Sequence, residues 1–295
     1  MMDVDAETKI VALIGNPAKH SLSPVIHNAA FDKLGIRAIY ICFEPEQDAL
    51  KGAVEGIRAL GLRGINVTIP YKEKVLELLD EVDPYAKVLG SVNTILNDKG
   101  TLIGYNTDGL GFINALRFYG FEPVNKKALL LGAGGAGRAI GFSLAKEKVS
   151  ELFVYDLDSK RSESLTESIG KNLSEVDNSD LKLSVLENKE DVNLKEIDLL
   201  INATPVGMEE GEPSVFGKEL LDNKRLFVYD LVYNRSTELI KSAKGKGLRA
   251  YNGLSMLIYQ AIESEKIWLE EVTIDYERRV FSIMKKALRK RGYRI

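Results

Sequence analysis

A lysine stands in an unusual setting in GINVTIPYKEK, residues 64–74. Apolar residues alternate as far as Ile69, as in a strand, and Pro70 stops the run. YKEKVLELLDEV then has helical spacing, which predicts a helix over 71–80 with Pro70 at its first position. Lys72 and Lys74 fall in that first turn, where a cation opposes the helix dipole by about 0.3–1 kcal/mol. An amine so placed and partly desolvated gives up its proton more readily, and a nearby carboxylate pushes the other way. Such an amine can serve as a general acid and base. The alternative for Lys72 is a surface ammonium beside Glu73, and Lys74 takes that surface reading.

Other residues could complete a site. HSLSP (20–24) places the hydroxyls of Ser21 and Ser23 beside a helix start at Pro24. Ser23 alone would be an N-cap. Two hydroxyls aimed at one spot can also clasp a carboxylate, at roughly 1.5–3 kcal/mol per charged hydrogen bond. In YNTDGLGF (105–112), Thr107 or Asp108 could cap the following helix. Gly109 and Gly111 in its first turns each cost about 1 kcal/mol relative to alanine, so something is expected close to that backbone. Asp108 is then a candidate for a carboxylate in the site.

The clearest motif lies further on. ALLL (128–131) is a buried strand candidate, and GAGGAG (132–137) carries Gly132, Gly134 and Gly137 in the spacing G-x-G-x-x-G. A helix follows, then ELFVY (151–155) and Asp156. The first glycine permits the tight turn, the second lets the backbone approach a pyrophosphate, and the third lets the helix pack on the strand. Free N–H groups at the helix start would face the anion. Strand, turn, helix, strand and acid in this order predict dinucleotide binding. Asp156 can accept from a ribose hydroxyl, and Leu157 offers no cation to a 2′-phosphate, which favours NAD. Lys160 and Arg161 could instead bend back to a phosphate, giving NADP, or Arg161 could stack on adenine.

These groups need elements to carry them. The 295 residues suffice for two domains of ordinary size, and 45% are apolar. A net charge of −3 leaves no broad basic field, which argues against nucleic acid as a partner. One cysteine, Cys42, cannot form an internal disulfide and suggests a reducing, cytoplasmic setting. It sits in IYICFE and reads as core packing. With two histidines, a Cys/His zinc site is not expected, and His20 and His27 read as local hydrogen-bonding residues. No apolar run approaches the ~20 residues of a membrane span, and MMDVDAETK has no signal-peptide pattern.

Strands and helices alternate along the chain. Strands are predicted at 9–15, 37–44 and 63–69, with helices at 23–35 and 48–61, each closed by glycine. SVNTIL and TLIGYN flank the turn sequence NDKG as a hairpin, and a helix covers 108–119. The alternation restarts at KALLLGAGGAG and continues through EIDLLINATPVGM, RLFVYDLVYN, TELIKSAKGKG, LRAYN and NGLSMLIYQA. Polar residues after those strands, among them Asn202, Thr204, Asp230 and Tyr233, lie where such a sheet presents its loops. The stretch 158–195 is polar, with poorly determined boundaries. Val280, Met284 and Leu288 recur at helical spacing in DYERRVFSIMKKALRKRG, predicting an amphipathic helix packed on the first domain, with Lys285, Lys286, Arg289 and Lys290 on its solvated face. The fold class is α/β with largely parallel sheets.

SLSPVIHN, GINVTIPYK, SVNT, GYNTDGLGF, GAGGAGRA, NATPVGM and NGLSMLIYQA occur in the order found in the shikimate dehydrogenase family, which the chain resembles from about residue 10 to 270. The resemblance implies an N-terminal α/β substrate domain, 1–106 completed by 253–295, and an inserted Rossmann dinucleotide-binding domain, 107–252. It implies an active site in the cleft between them and reversible interconversion of shikimate and 3-dehydroshikimate, a step of aromatic amino acid biosynthesis. Lys72 and Asp108 would be the catalytic pair. Ser21 and Ser23, with Tyr233, would bind the substrate carboxylate, and Thr68, Asn93 and Gln260 the ring hydroxyls. Gly132, Ala133, Gly134, Gly135, Ala136 and Gly137 would bind the pyrophosphate. Thr204, Leu231, Gly253 and Met256 would lie near the nicotinamide. The family permits monomer or homodimer.

Three departures stand out. NADP-using members carry Asn-Arg-Thr or Asn-Arg-Ser after the second Rossmann strand, where this chain has Asp156, Leu157 and Asp158. DLDSKR, ending at Arg161, is similar to the NAD-type quinate/shikimate dehydrogenase branch, so quinate is an alternative substrate. A non-enzymatic metabolite sensor is the other alternative, and retention of Lys72 and Asp108 argues against it. Arg235 stands where proline is common, and Ser91 where alanine is usual.

Overall fold

The computed structural model describes residues 4–172, 178–218, 221–269 and 275–295. The chain divides into two compact units, 1–111 with 257–295, and 112–256. The divisions fall inside two helices rather than at 106/107 and 252/253.

The first unit opens with β1 (Lys9–Ile14), α1 (Ser23–Leu34), β2 (Ala38–Phe43), α2 (Leu50–Ala59) and β3 (Gly64–Val67). These strands lie in the order β2-β1-β3 and run parallel. After β4 (Glu81–Val82) and α3 (Pro84–Leu89), the hairpin of β5 (Thr94–Asp98) and β6 (Thr101–Tyr105) joins β3 antiparallel. Lys99 and Gly100 at its tip both have positive φ, 53° and 98°, as a two-residue I′ turn requires. The six-stranded sheet reads β2-β1-β3-β5-β6-β4. Alternate residues of β1 and β3 face opposite layers. Ala12, Ile14, Ile65 and Val67 pack with Val54 and Ile57 of α2, while Val11 and Leu13 pack with Phe31 of α1 and Trp268. Both faces are covered, so KIVALI reads as a continuous apolar run.

From Asp108, α4 (Asp108–Phe118) leads into the second unit. There follow β7 (Lys127–Leu131), α5 (Gly135–Lys146), β8 (Glu151–Tyr155), α6 (Ser159–Lys171), β9 (Lys182–Val185), β10 (Leu199–Asn202), β11 (Phe227–Asp230), α7 (Glu238–Gly245) and β12 (Arg249–Asn252). All six strands are parallel, in the order β9-β8-β7-β10-β11-β12. Renumbered within the unit this is 3-2-1-4-5-6, the Rossmann order, with its switch point between β7 and β10. Leu129, Leu131, Leu200, Val228 and Ala250 form one face of its core with Leu239, Ile240 and Ala243 of α7.

The chain returns through α8 (Leu254–Trp268) and ends in α9 (Tyr276–Lys290). Tyr276, Val280, Phe281, Met284 and Leu288 form the buried stripe of α9, which packs on α1. None of the helices among the described residues is long and apolar enough to cross a membrane. Cys42 is half-buried rather than fully in the core, and burial, with the charge of Glu44 beside it, pushes its thiol up to about 11.

One predicted element is absent. No α-helix covers 71–80; a turn at 70–73 leads into a 3₁₀ segment at Lys74–Leu78. Pro70 follows a cis peptide bond and does not open a helix. Tertiary partners take the backbone and side chains a helix would use. The Lys72 carbonyl accepts from the Val92 N–H at 2.9 Å, and Tyr71 is buried with its hydroxyl donating to the Pro45 carbonyl at 2.6 Å. The dipole argument for Lys72 therefore has no α-helix behind it, and the setting of this lysine must be read from its partners.

Candidate active site

Lys72 leaves the carboxyl end of the β3 segment, and Asp108 opens α4 just after β6. Adjacent antiparallel strands β3, β5 and β6 bring these distant positions together. Lys72 Nζ lies 2.5 Å from Asp108 Oδ2, with the lysine side chain 16% exposed and the aspartate 7%. The other oxygen, Asp108 Oδ1, accepts from Asn93 Nδ2 at 2.8 Å. Asn93 Nδ2 also donates to Thr107 Oγ1 at 2.9 Å, and its carbonyl oxygen accepts from the Thr107 N–H and from Thr94 Oγ1. Asn93 is buried, and both of its amide donors point at protein. Its Nδ2 thereby ties Asp108 to Thr107.

A buried polar layer stands behind this pair. Thr107 Oγ1 donates to the Gln260 carbonyl of α8 at 3.1 Å. Ser264 Oγ lies 2.8 Å from Thr94 Oγ1, and Asn66 Nδ2 donates to Ser264 Oγ and to the Asn93 carbonyl. Tyr40 donates to Asn66 Oδ1 at 2.8 Å. Such networks rigidify a core when their members are satisfied. None of Asn66, Thr94 or Ser264 stands out in the sequence, because each takes part through contacts between distant segments. His27 is likewise no local hydrogen-bonding residue. Its Nδ1 meets Glu265 Oε1 at 2.7 Å, 238 positions away, and its ring stacks on Tyr40.

The remaining first-unit candidates line adjoining segments. Ser23 is the first residue of α1, and Leu22 holds the cap position without a side-chain cap. The expected N-cap role of Ser23 is thus not realised. Ser21 Oγ accepts from the Ser23 N–H at 3.2 Å, which keeps the two residues together. Thr68 is half-buried beside Gly15, where a Cβ would come within 2.2 Å of the threonine methyl. Gln260 is half-buried on α8, its Nε2 donating to the Leu257 carbonyl. What approaches Gly111 is this helix: a Cβ there would lie 2.7 Å from the Gln260 nitrogen. Lys74 is exposed.

In the second unit, Gly132 has φ +95°, and its missing Cβ would sit 2.9 Å from the Ala203 carbonyl carbon. A Cβ on Gly137 would sit 2.0 Å from the Gly132 oxygen. Gly134 and Gly135 lead into α5, which has no side-chain cap. Its first N–H groups, from Gly135 and Ala136, therefore remain available to an anion. Asp156 accepts from the Ala133 N–H at 2.7 Å and from the Asp158 N–H at 3.0 Å, tying the end of β8 to the glycine turn. Asp158 caps α6 through the Lys160 N–H, and its carboxylate lies 3.8 Å from Arg161 Nε. A Cβ on Gly134 would lie 3.9 Å from an Arg161 guanidinium nitrogen, so this cation stands over the turn.

Thr204, Leu231, Gly253 and Met256 follow the carboxyl ends of β10, β11 and β12. Gly253 is pressed against Leu231, whose carbonyl oxygen a Cβ would meet at 2.2 Å. The Met256 N–H donates to the Tyr229 hydroxyl at 3.2 Å. Tyr233 is half-buried in the loop after β11. Arg235 lies 3.9 Å from Glu210 Oε1. It also faces Glu212, whose carboxylate is held below its usual range chiefly by the Glu209 and Gly207 N–H groups. Ser91 is fully buried, and its Oγ meets no hydrogen-bond partner there.

Residues 13–95 match the family model described as the shikimate dehydrogenase substrate binding domain. The NADP(+) shikimate dehydrogenase of Caldanaerobacter subterraneus subsp. tengcongensis is 42% identical, over 92% of this chain and 95% of that protein. The crystal structure of shikimate dehydrogenase from Aquifex aeolicus superposes with a TM-score of 0.86 at 37% identity, covering 97% of this chain and all of the other. Shikimate 5-dehydrogenase from Listeria monocytogenes, solved with shikimate and NAD, gives 0.82 at 35% identity, covering 94% and 97%.

Proposed function

The chain belongs to the shikimate dehydrogenase family, and from that premise we propose that it interconverts shikimate and 3-dehydroshikimate with a nicotinamide cofactor. The observation that carries the reading is the Lys72–Asp108 pair, 2.5 Å apart in a nearly closed polar setting. Family resemblance assigns these two residues the chemistry, and their geometry suits it.

Oxidation of an alcohol removes a hydride from carbon and a proton from oxygen. The nicotinamide supplies the hydride acceptor. Lys72, as the free amine, takes the hydroxyl proton while the hydride leaves, and as ammonium it returns that proton in the reverse direction. Asp108 holds Nζ in place through Oδ2 and is itself held through Oδ1 by Asn93. Ser21 and Ser23 grip the substrate carboxylate, while Thr68 and Gln260 meet ring hydroxyls. The first N–H groups of α5 receive the pyrophosphate. The uncapped start of that helix and the close Gly132–Gly137 approach support the fit.

NAD is the preferred cofactor in this reading. The Asp156 carboxylate at the end of β8 opposes a 2′-phosphate, and Leu157, 90% exposed, offers it no cation. Arg161 is the counterweight, although Asp158 stands beside it. DLDSKR supports quinate as a second substrate. Initial rates with shikimate and quinate, each with NAD and NADP, test both choices. Lys72→Ala should lower kcat by about 10²–10⁴ with cofactor affinity retained. Near-normal turnover in that variant would overturn the assignment, and ligand binding without dehydrogenation at any pH would favour the sensor.

A further inference from the structure

The second unit holds a buried carboxylate that the chemistry above does not use. Asp230 ends β11 directly beside Asn202, which ends β10. Both are buried, at 0% and 1% exposure. Asn202 Nδ2 donates to Asp230 Oδ1 at 2.9 Å, and the Val232 N–H donates to the same oxygen at 3.1 Å. Thr237 Oγ1 donates to Oδ2 at 2.6 Å while accepting from the Ile240 N–H at the head of α7. Every one of these partners is placed as a donor, so both carboxyl oxygens of Asp230 are held as acceptors.

The consequence runs through Asn202. With Nδ2 drawn to Asp230, and also to the Val206 carbonyl at 3.1 Å, its carbonyl oxygen must face the other way. There it accepts from the Thr204 N–H at 3.1 Å and from Thr204 Oγ1 at 2.6 Å. Thr204 Oγ1 in turn accepts from the Val206 N–H. The carboxylate therefore selects the orientation of one amide, and that amide shapes the backbone of 202–206. The same backbone abuts the glycine turn, since Gly132 has no room for a Cβ against Ala203 and Thr204. The Val232 contact fixes the start of the loop that contains Leu231.

We infer that Asp230 is a positioning residue, which through Asn202 and Val232 sets the Thr204 and Leu231 segments for the nicotinamide half of the cofactor. The inference rests on the reading that places Thr204 and Leu231 beside that ring. A role confined to stability would instead act through the Thr237 cap of α7. The two differ in which ligand they affect. ADP-ribose, or its 2′-phosphate for an NADP enzyme, lacks the nicotinamide and needs the glycine turn with Asp156 and Arg161 beside it.

The experiment measures dissociation constants for the preferred dinucleotide and for the matching ADP-ribose. Asp230→Ala should weaken the dinucleotide about tenfold, the scale of one lost charged hydrogen bond, lower kcat, and leave ADP-ribose within about twofold. Asp230→Asn can keep its carbonyl toward Asn202 and turn its amino group to Thr237, so it should restore most of the affinity. Thr237→Val should lower thermal stability without moving the ratio of the two constants. Asn202→Ser breaks the link from the other side and carries the test if Asp230→Ala does not fold. Equal weakening of both ligands, or an unchanged ratio in Asp230→Ala and Asn202→Ser, would overturn the inference. Thr204→Ala separates the two layers. An unchanged ratio there defeats the nicotinamide placement itself, whereas a shift there with none in Asp230→Ala defeats only the positioning role.

Discussion

Asp156 has a structural duty in the fold and, in the proposed reading, a selective one. Its carboxylate holds the Ala133 N–H of the glycine turn and the Asp158 N–H, and its charge remains at the edge where the adenosine ribose would lie. Removing the charge separates these duties in part, because asparagine keeps one acceptor where two carboxylate oxygens each take a backbone N–H. Asp156→Asn should cost the turn one hydrogen bond, about 1 kcal/mol that weakens both cofactors alike, and raise the ratio of NADP to NAD kcat/KM by about tenfold, the cost of a like charge near a surface phosphate being of order 1 kcal/mol or above. Steady-state rates with both cofactors check it, and an unchanged ratio would mean that Asp156 does not set cofactor choice. Arg161, above Gly134 and still 3.8 Å from Asp158, is the cation placed to meet the added phosphate.

Elements show why some of this was legible before any coordinates and some was not. Strand–turn–helix order, the glycine spacing and the NDKG hairpin depend on neighbours in the chain, so their signals are local. The 71–80 segment has an apolar pattern that suits a helix, yet Pro45 and Val92 capture Tyr71 and the Lys72 carbonyl from outside it. Asn66, Asn93, Thr107 and Ser264 converge from four separate segments, which no spacing rule anticipates. Gly111 did signal a close approach, and the visitor there is α8 rather than a ligand. Gly111→Ala would set a methyl against the Gln260 backbone, which cannot swing aside as a side chain can. Overpacking of about 1–3 kcal/mol should outweigh the helix gain of about 1 kcal/mol. Because the Gln260 carbonyl also receives Thr107 Oγ1, kcat should fall with stability. Denaturant melts and turnover of the variant measure both, and a variant as stable and active as the parent would contradict the crossing described.

At the scale of the whole molecule, the response to pH combines groups of opposite sign. Asp5, Glu44, Asp80 and Glu212 are held below their ordinary values, first by backbone N–H groups or, for Asp80, by Arg58. They favour the folded state above the usual carboxylate range and withdraw that support on acidification. Asp230 behaves inversely. Burial raises it from 3.8 to about 6, against the pull of Thr237, Val232 and Asn202, and no neighbouring charge contributes. The folded chain therefore binds more protons here than the unfolded one between those values. Its contribution to stability is complete below the lower value and declines as pH rises through the upper one, by up to about 3 kcal/mol. Between pH 4 and 7 the unfolding free energy of the parent should fall relative to that of Asp230→Asn as pH rises, and the difference should become constant above that window. A constant difference across the range would show that the carboxyl does not titrate there.

Trp268 gives the molecule an unplanned optical asymmetry. It is the chain's single tryptophan, fully buried at the end of α8, with its indole N–H on the Ile95 carbonyl and its ring filling the space that Gly64 leaves open. Excitation at the red edge of the protein absorption band thus illuminates one unit alone. Loosening of the dinucleotide-binding half passes unseen by that emission, whereas opening of the substrate half exposes its indole to water.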